Sequence, residues 1–268
     1  MFKKRILTIL AGLPLFIAAI WFGEPWFTAM VAFSGLLAAW EFYRLVSQTK
    51  VPTMTRFGLI FTLLFIASPN LNFGDFSTTQ IRLLILAVML SLVWLLLRPG
   101  KETAFASWVW SLGGIIYLGL LLSHLVALRG LEHGRDWVFF ALTVNAFSDS
   151  AAYMVGRVWG RHRLAPNISP RKTWEGAAGG VIGAVISGAA LFYLLDLPAS
   201  FSIGHALVLG ILISLAGQMG DLVESLFKRN MSTKESGNLL PGHGGFLDRL
   251  DSIVFVGVLV YYYVICLL

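Results

Sequence analysis

Leu83-Leu84-Ile85-Leu86-Ala87-Val88-Met89-Leu90-Ser91-Leu92-Val93-Trp94-Leu95-Leu96-Leu97 offers one small hydroxyl and one indole among aliphatic side chains, and it is bounded by Arg82 and Arg98. A segment apolar on every side has no face to turn toward water. In hydrocarbon its backbone must satisfy its own hydrogen bonds, so it predicts a membrane-crossing helix. Similar runs recur along the chain, giving nine candidate spans at 6–22, 26–40, 54–68, 82–98, 105–128, 136–156, 175–195, 203–222 and 251–268. Most approach the ~20 residues that cross a ~30 Å hydrocarbon core. The third is the weakest, because its clean apolar stretch, Phe57 to Ser68, covers only about two-thirds of a crossing. The alternation of a membrane β-barrel is absent. The expectation is an all-α, polytopic membrane helix bundle of about nine transmembrane helices, forming a single integral membrane domain over residues 1–268.

Composition agrees. The chain is 57% hydrophobic and 13% charged, with mean hydropathy +0.78, where a soluble domain carries about 25% charged residues. A net charge of +6 and an isoelectric point near 9.6 would suit a nucleic-acid partner, but the placement of the charges excludes it. With a cytoplasmic N-terminus and nine crossings, every one of the 20 lysines and arginines except Arg82, Arg129 and Arg135 falls on the cytoplasmic side. That is the positive-inside pattern, and it predicts a cell (inner) membrane protein with its C-terminus outside. Met1-Phe2-Lys3-Lys4-Arg5 followed by an apolar run has the look of a signal peptide, yet no small-x-small cleavage site follows, so the segment is read as an uncleaved first span. Cys266, the single cysteine, cannot form an internal disulfide. His124 and His205 read as satisfied core residues. Gly176, Gly179, Gly180, Gly183 and Gly188 form small-residue faces suited to tight helix packing or a dimer contact.

Polar chemistry concentrates in two cytoplasmic loops and the helix ends beside them, within 147–252. At about 100° per residue, Asp221, Glu224, Ser225 and Lys228 share one face of the eighth span, extended inward by Gln218 and Ser214. A carboxylate so close to hydrocarbon is a functional candidate by default. Downstream, Pro241-Gly242-His243-Gly244-Gly245-Phe246-Leu247-Asp248-Arg249-Leu250-Asp251 runs from a Gly-rich loop, whose backbone can approach phosphates closely, into the last span. Asp248 and Asp251 share a helix face and, with Asp221, offer three hard oxygen ligands for Mg²⁺. Lys228, Arg229, Lys234 and Arg249 are interleaved with these acids, the combination a nucleoside triphosphate requires. The other loop follows Asp149 and Tyr153, and carries Arg157, Arg161, Arg163, Ser169, Arg171, Lys172 and Thr173. It is a candidate pocket for a lipid phosphate or a nucleotide.

These residues resemble the phosphatidate cytidylyltransferase (CDP-diacylglycerol synthase) family. Ser225, the Lys228-Arg229 pair, Lys234, the His243-Gly244-Gly245 run and Asp248-Arg249-Leu250-Asp251 fall at the spacings of that family's pattern. Gly220-Asp221-Leu222-Val223-Glu224 and the run from Ile168 to Gly176 resemble it too. One position departs: Glu235 stands where the family usually has Asp, keeping the carboxylate one methylene further out. The resemblance implies nucleotidyl transfer from CTP to phosphatidic acid, giving CDP-diacylglycerol and pyrophosphate. It also implies Mg²⁺ assisted by a monovalent cation such as K⁺, and a homodimer. Asp221, Asp248 and Asp251 would be metal-site residues, with Lys228 and Arg229 beside them in catalysis. Ser225, Lys234, His243, Gly244, Gly245 and Arg249 would line the nucleotide site, and Asp149, Ser169, Arg171 and Lys172, in and beside the second polar loop, would also be substrate-binding residues. The competing classes are a transporter, whose outer loops should be polar, and a CTP-dependent lipid kinase. A CDP-alcohol phosphotransferase would need an Asp-Gly pair, which the chain lacks.

Overall fold

The computed structural model describes residues 12, 14–71, 74–97, 102–233, 236–237 and 244–268. Its helices are α1 (Trp26–Gln48), α2 (Thr55–Ala67), α3 (Phe76–Leu96), α4 (Ala104–Gly114), α5 (Leu121–Arg129), α6 (Gly134–Trp159), α7 (Trp174–Leu194), α8 (Ile203–Asn230) and α9 (Leu247–Leu267). A π-helical turn, Ile115–Leu120, joins α4 to α5 into one 26-residue span. Among the described residues, seven helices are long and apolar enough to cross a membrane. The expected third span is the 13-residue α2, extended by a 3₁₀ turn at Ser68–Asn70. At ~1.5 Å per residue it rises only about 20 Å, less than a full crossing. The expected first span is described in part: 6–11 and 13 lie outside the described residues, and 14–22 are helical. The membrane helix bundle is therefore present, while nine crossings are not established by it.

The chain forms two compact units, the first from residues 1–127 and 231–250, the second from 128–230 and 251–268. In the first, Tyr43 is completely buried and its hydroxyl donates to the Ser111 carbonyl at 3.1 Å. Gly58 and Gly114 lie against its ring, where any Cβ would overlap it. Phe61, Phe65, Ala87, Leu112 and Ile115 make an apolar cluster beside it. Some polar groups inside this unit are matched across helices: Gln80 donates to Ser68 and Ser123, and the Trp108 indole donates to Ser91. The faces of α3 that carry Ile85, Met89 and Leu96 stay open, as a lipid-facing surface requires.

In the second unit α6 and α7 approach through small residues. Gly176 meets Gly156 and Ala152, Gly179 meets Val155, and Gly183 meets Ala151. The small-residue face of α7 is thus used for helix packing within this chain. Between these helices the loop contains an element absent from the all-helical expectation, a hairpin of β1 (Arg163–Ala165) and β2 (Ser169–Thr173), with Arg163 opposite Thr173 and Ala165 opposite Ser169. Pro166 and Asn167 supply its turn, closed by the Ile168 N–H on the Ala165 carbonyl at 3.2 Å, residue types that turns favour. Thr173 then caps α7 through the Gly176 N–H. Glu175 accepts from the Arg161 and His162 N–H groups and lies 2.6 Å from His162 Nδ1, which holds the start of the hairpin to the helix.

Replacing Gly179 by valine forces a branched side chain into Val155. The variant should lose about 1–3 kcal/mol and melt earlier in detergent, whereas Gly204→Ala, where only Ser202 lies near at 3.5 Å, should melt like the parent. A second test concerns the α3 cap. Asp75 accepts from the Thr78 N–H and from the Ser77 and Thr78 hydroxyls, which holds its carboxyl below the usual carboxylate range. A depressed folded pKa contributes stability above the unfolded value and loses it as pH falls through the folded one. Asp75→Ala should therefore lower the melting temperature at neutral pH, and its deficit should shrink as the solution is acidified.

Candidate active site

Helix α8 runs on to Asn230, beyond its apolar stretch, so Ser214, Gln218, Asp221, Glu224, Ser225 and Lys228 all ride on one continuous helix. Its inner polar groups are locked first. Ser214 is fully buried and hydrogen-bonded to Ser148 of α6 at 2.7 Å, and Gln218 donates to Ser214 and to the Ala177 carbonyl of α7. One turn further out, Asp221 meets Lys172 of β2 at 2.6 Å. Another turn on, Glu224, fully buried, pairs with Lys228 four residues along. Arg229, at the helix end, donates from Nε to the Ile168 carbonyl, tying α8 to the turn of the hairpin.

Two more carboxylates join this group. Asp149 on α6 lies within electrostatic reach of Asp221 and Lys172, and Asp251 on α9 within reach of Asp221, Lys228 and Asp149. Asn145 of α6 donates to Ser252 at 2.9 Å, which fastens α9 beside Asp251. Asp221 and Glu224 are thus paired with Lys172 and Lys228, and the carboxylates of Asp149 and Asp251 lie within electrostatic reach of those pairs. Fully ionised, the group carries an excess of two negative charges at the ends of membrane helices, a costly arrangement unless a cation offsets it. Among the described residues no three His, Cys, Asp or Glu side chains converge into a ready ligand shell. The donor set fits a hard cation that takes one or two carboxylates and completes its shell with water and phosphate oxygens.

The other expected residues are distributed as follows. Ser225 is half-buried on α8, and Ser169 is half-buried on β2. Strand alternation sends Arg171 to the face opposite Lys172, and it is exposed, as is Arg249. Lys234 and His243 lie outside the described residues. Gly244 adopts a positive φ of 83°, which glycine tolerates without strain. Asp248 belongs to the first unit. Its Oδ2 accepts the Gly245 N–H at 2.9 Å, the Ser236 N–H at 3.2 Å and the Ser236 hydroxyl at 2.9 Å, so it organises the start of α9.

Two features escaped sequence reasoning. The Lys172–Asp221 pair joins residues far apart in the chain, and nothing local announces it. Glu41, buried at 1% exposure on α1, lies against the same α9 start. It was legible as an ionisable residue inside the apolar run Ala38-Ala39-Trp40-Glu41-Phe42.

The fold and this charged cluster define a multi-pass membrane protein whose polar chemistry sits at helix ends, suited to phosphate-bearing substrates. Residues 3–267 match the cytidylyltransferase family, and the chain belongs to it. It is 33% identical over 262 residues to the phosphatidate cytidylyltransferase of Bacillus subtilis, covering 97% of this chain and 96% of that protein. It is 34% identical over 257 residues to the protein of the same name from Staphylococcus haemolyticus, covering 95% of each, and 33% identical over 260 residues to that of Brucella suis, covering 97% and 92%.

The Lys172–Asp221 pair is open to a double-mutant cycle. Lys172→Met leaves the carboxylates with one counter-charge fewer and should destabilise the folded state. Adding Asp221→Asn should recover part of that loss, with a coupling on the order of 1 kcal/mol for a partly exposed pair. A coupling indistinguishable from zero would mean that the two side chains act independently.

Proposed function

We propose that the protein is a phosphatidate cytidylyltransferase of the cell (inner) membrane, making CDP-diacylglycerol and pyrophosphate from CTP and phosphatidic acid. The observation that carries this reading is the gathering of Asp149, Lys172, Asp221, Lys228 and Asp251 at the ends of membrane helices, in a chain that aligns almost end to end with relatives of that name. With the nine crossings that the charge pattern favours, these residues would lie on the cytoplasmic side, where a nucleotide arrives from water while two acyl chains keep the other substrate in the bilayer.

The phosphate monoester of phosphatidic acid is an anion at neutral pH and needs no strong base. One of its oxygens forms a bond to the α-phosphorus of CTP, and the bond from that phosphorus to the bridging oxygen of the β-phosphate breaks. Pyrophosphate departs with the electron pair. The protein's part is position and charge. Lys172 and Lys228, held by Asp221 and Glu224, present ammonium groups to phosphate oxygens. Arg229 adds a positive group at the end of α8, and the family resemblance would bring Lys234, His243 and Arg249 to the nucleotide. The family resemblance would add Ser225, Ser169, Arg171, Gly244 and Gly245 to the substrate contacts, the Gly245 N–H being engaged by Asp248. Asp221 and Asp251 are the residues that would hold Mg²⁺, with Asp248 the third carboxylate of the expected set and K⁺ the second cation. When bound, Mg²⁺ would neutralise charge growing on the leaving pyrophosphate. A homodimer, implied by the family resemblance, completes the proposal.

Purified protein in detergent, given phosphatidic acid, CTP and Mg²⁺, should release pyrophosphate and form CDP-diacylglycerol. Asp221→Asn and Asp251→Asn should lower turnover about 100-fold or more, the scale of losing a transition-state charge contact. Asp248→Asn should fall as far if that residue holds metal, and far less if it only starts the helix. Release of CDP with a newly phosphorylated lipid would replace this reading with a lipid kinase.

A further inference from the structure

Helices α1 and α2 form an antiparallel pair inside the first unit. Gly58 lies against Tyr43 and Gly35 against Ile66, so the start of α2 sits beside the end of α1. Between them runs a shallow groove of about 430 Å³, lined by Leu36, Leu37, Trp40, Leu59, Ile60 and Leu63. Trp40, Ile60 and Leu63 are exposed, so the groove opens outward. An apolar groove suits any lipid chain, and the chemistry at its end is more selective.

Arg44 lies one helical turn beyond Trp40, its guanidinium 5.4 Å from the centre of the Trp40 ring. Arg56, in the first turn of α2, lies within one turn of Leu59. At about 100° per residue, Arg44 falls in angle between Leu36 and Leu37, and Arg56 between Leu59 and Ile60. Each arginine therefore continues the groove-lining face of its helix, at the end where the two helices join. Both are exposed, as is Lys50 in the link between them. The sequence holds no Asp or Glu from 42 to 74. Among the described residues no carboxylate pairs with the side chain of Arg44, Lys50 or Arg56.

Positive charge at the end of a span helps to orient it in the membrane, whichever way the charge points around the helix. That role does not account for two arginines aligned with one groove. A guanidinium presents parallel N–H donors to phosphate oxygens, and the indole beside Arg44 favours one placement of its cation. From Leu36 to Arg44 the helix rises about 12 Å, room for the upper part of an acyl chain under a headgroup level with the arginines. Basic pockets between membrane helices bind anionic headgroups in this way. A zwitterionic headgroup brings its own ammonium, which these cations repel.

We propose that the α1–α2 groove binds an anionic phospholipid of the bilayer, with one acyl chain along Leu36, Trp40, Ile60 and Leu63 and the phosphate held by Arg44 and Arg56. The site uses none of the residues of the candidate active site and does not depend on the proposed reaction.

The test uses full-length protein in detergent, stripped of lipid and then offered phosphatidylglycerol or phosphatidylcholine. Bound lipid is counted by native mass spectrometry, and particle mass is read by light scattering. Phosphatidylglycerol should bind about tenfold or more tightly than phosphatidylcholine, the scale of a pair of cation–headgroup contacts. Arg44→Gln combined with Arg56→Gln should abolish that preference and still melt like the parent in lipid-free detergent, since both side chains are exposed. Ile60→Trp, which fills the groove and leaves the arginines in place, should also weaken phosphatidylglycerol binding. Equal binding of the two lipids, or a preference that survives the double substitution, would overturn the proposal. Binding of phosphatidic acid without phosphatidylglycerol would overturn it in favour of a holding site for a phosphate monoester. A dimer that Ile60→Trp splits would overturn it as well, and would make the groove an interface between two copies of this chain.

Discussion

Carboxylates borne on membrane helices must find their partners inside the protein, and most of the polar architecture follows from that requirement. Water is not at hand to solvate Glu224 or Glu41, both nearly or wholly buried. Glu224 takes the ammonium of Lys228 one turn along its own helix. Glu41 takes the backbone N–H of Leu247 at the start of α9. Asp221, nearer the surface, reaches to Lys172 on the hairpin. Each pairing also fixes a piece of backbone, so the same contacts that make the charges tolerable hold the chain in place around them.

The second unit shows how packing serves this chemistry. Small residues let α6 and α7 close on each other, and the Ser148–Ser214 and Gln218 hydrogen bonds fix α8 against them. The hairpin between α6 and α7 has few apolar residues to bury. It is held by Glu175 at its start and by Arg229 at its turn, with Thr173 leading into α7. Lys172 is delivered to Asp221 by a short, strapped ribbon in place of a free loop. Rigid placement of a charged group is worth more to a phosphate-transfer site than the charge alone, since reorganisation during reaction is avoided.

Several parts of this were legible in advance. Continuous apolar runs announce helices in lipid because no other local structure satisfies the backbone there. The polar stripe from Ser214 to Lys228 was visible because helical periodicity is a local property, and α8 carries it intact. The Gly-rich run and its acids carried the family resemblance, which end-to-end relatedness supports. The short hairpin was hidden because strands of three and five residues on either side of Pro166 and Asn167 read as a loop. The third apolar stretch was ambiguous because a 13-residue helix lies between a core helix and a crossing.

By itself, the amino-acid sequence determined the solvent this protein lives in, the positions of its main apolar helices and the side chains that carry its chemistry, since hydropathy and helical period act over a few neighbouring residues. Only the tertiary structure decided who partners whom. Lys172 meets Asp221, Glu41 meets Leu247, and α7 spends its glycines on α6. Such pairings join residues from distant parts of the chain, and they are set by which helix ends the packing brings together and by the need of every buried charge to be met.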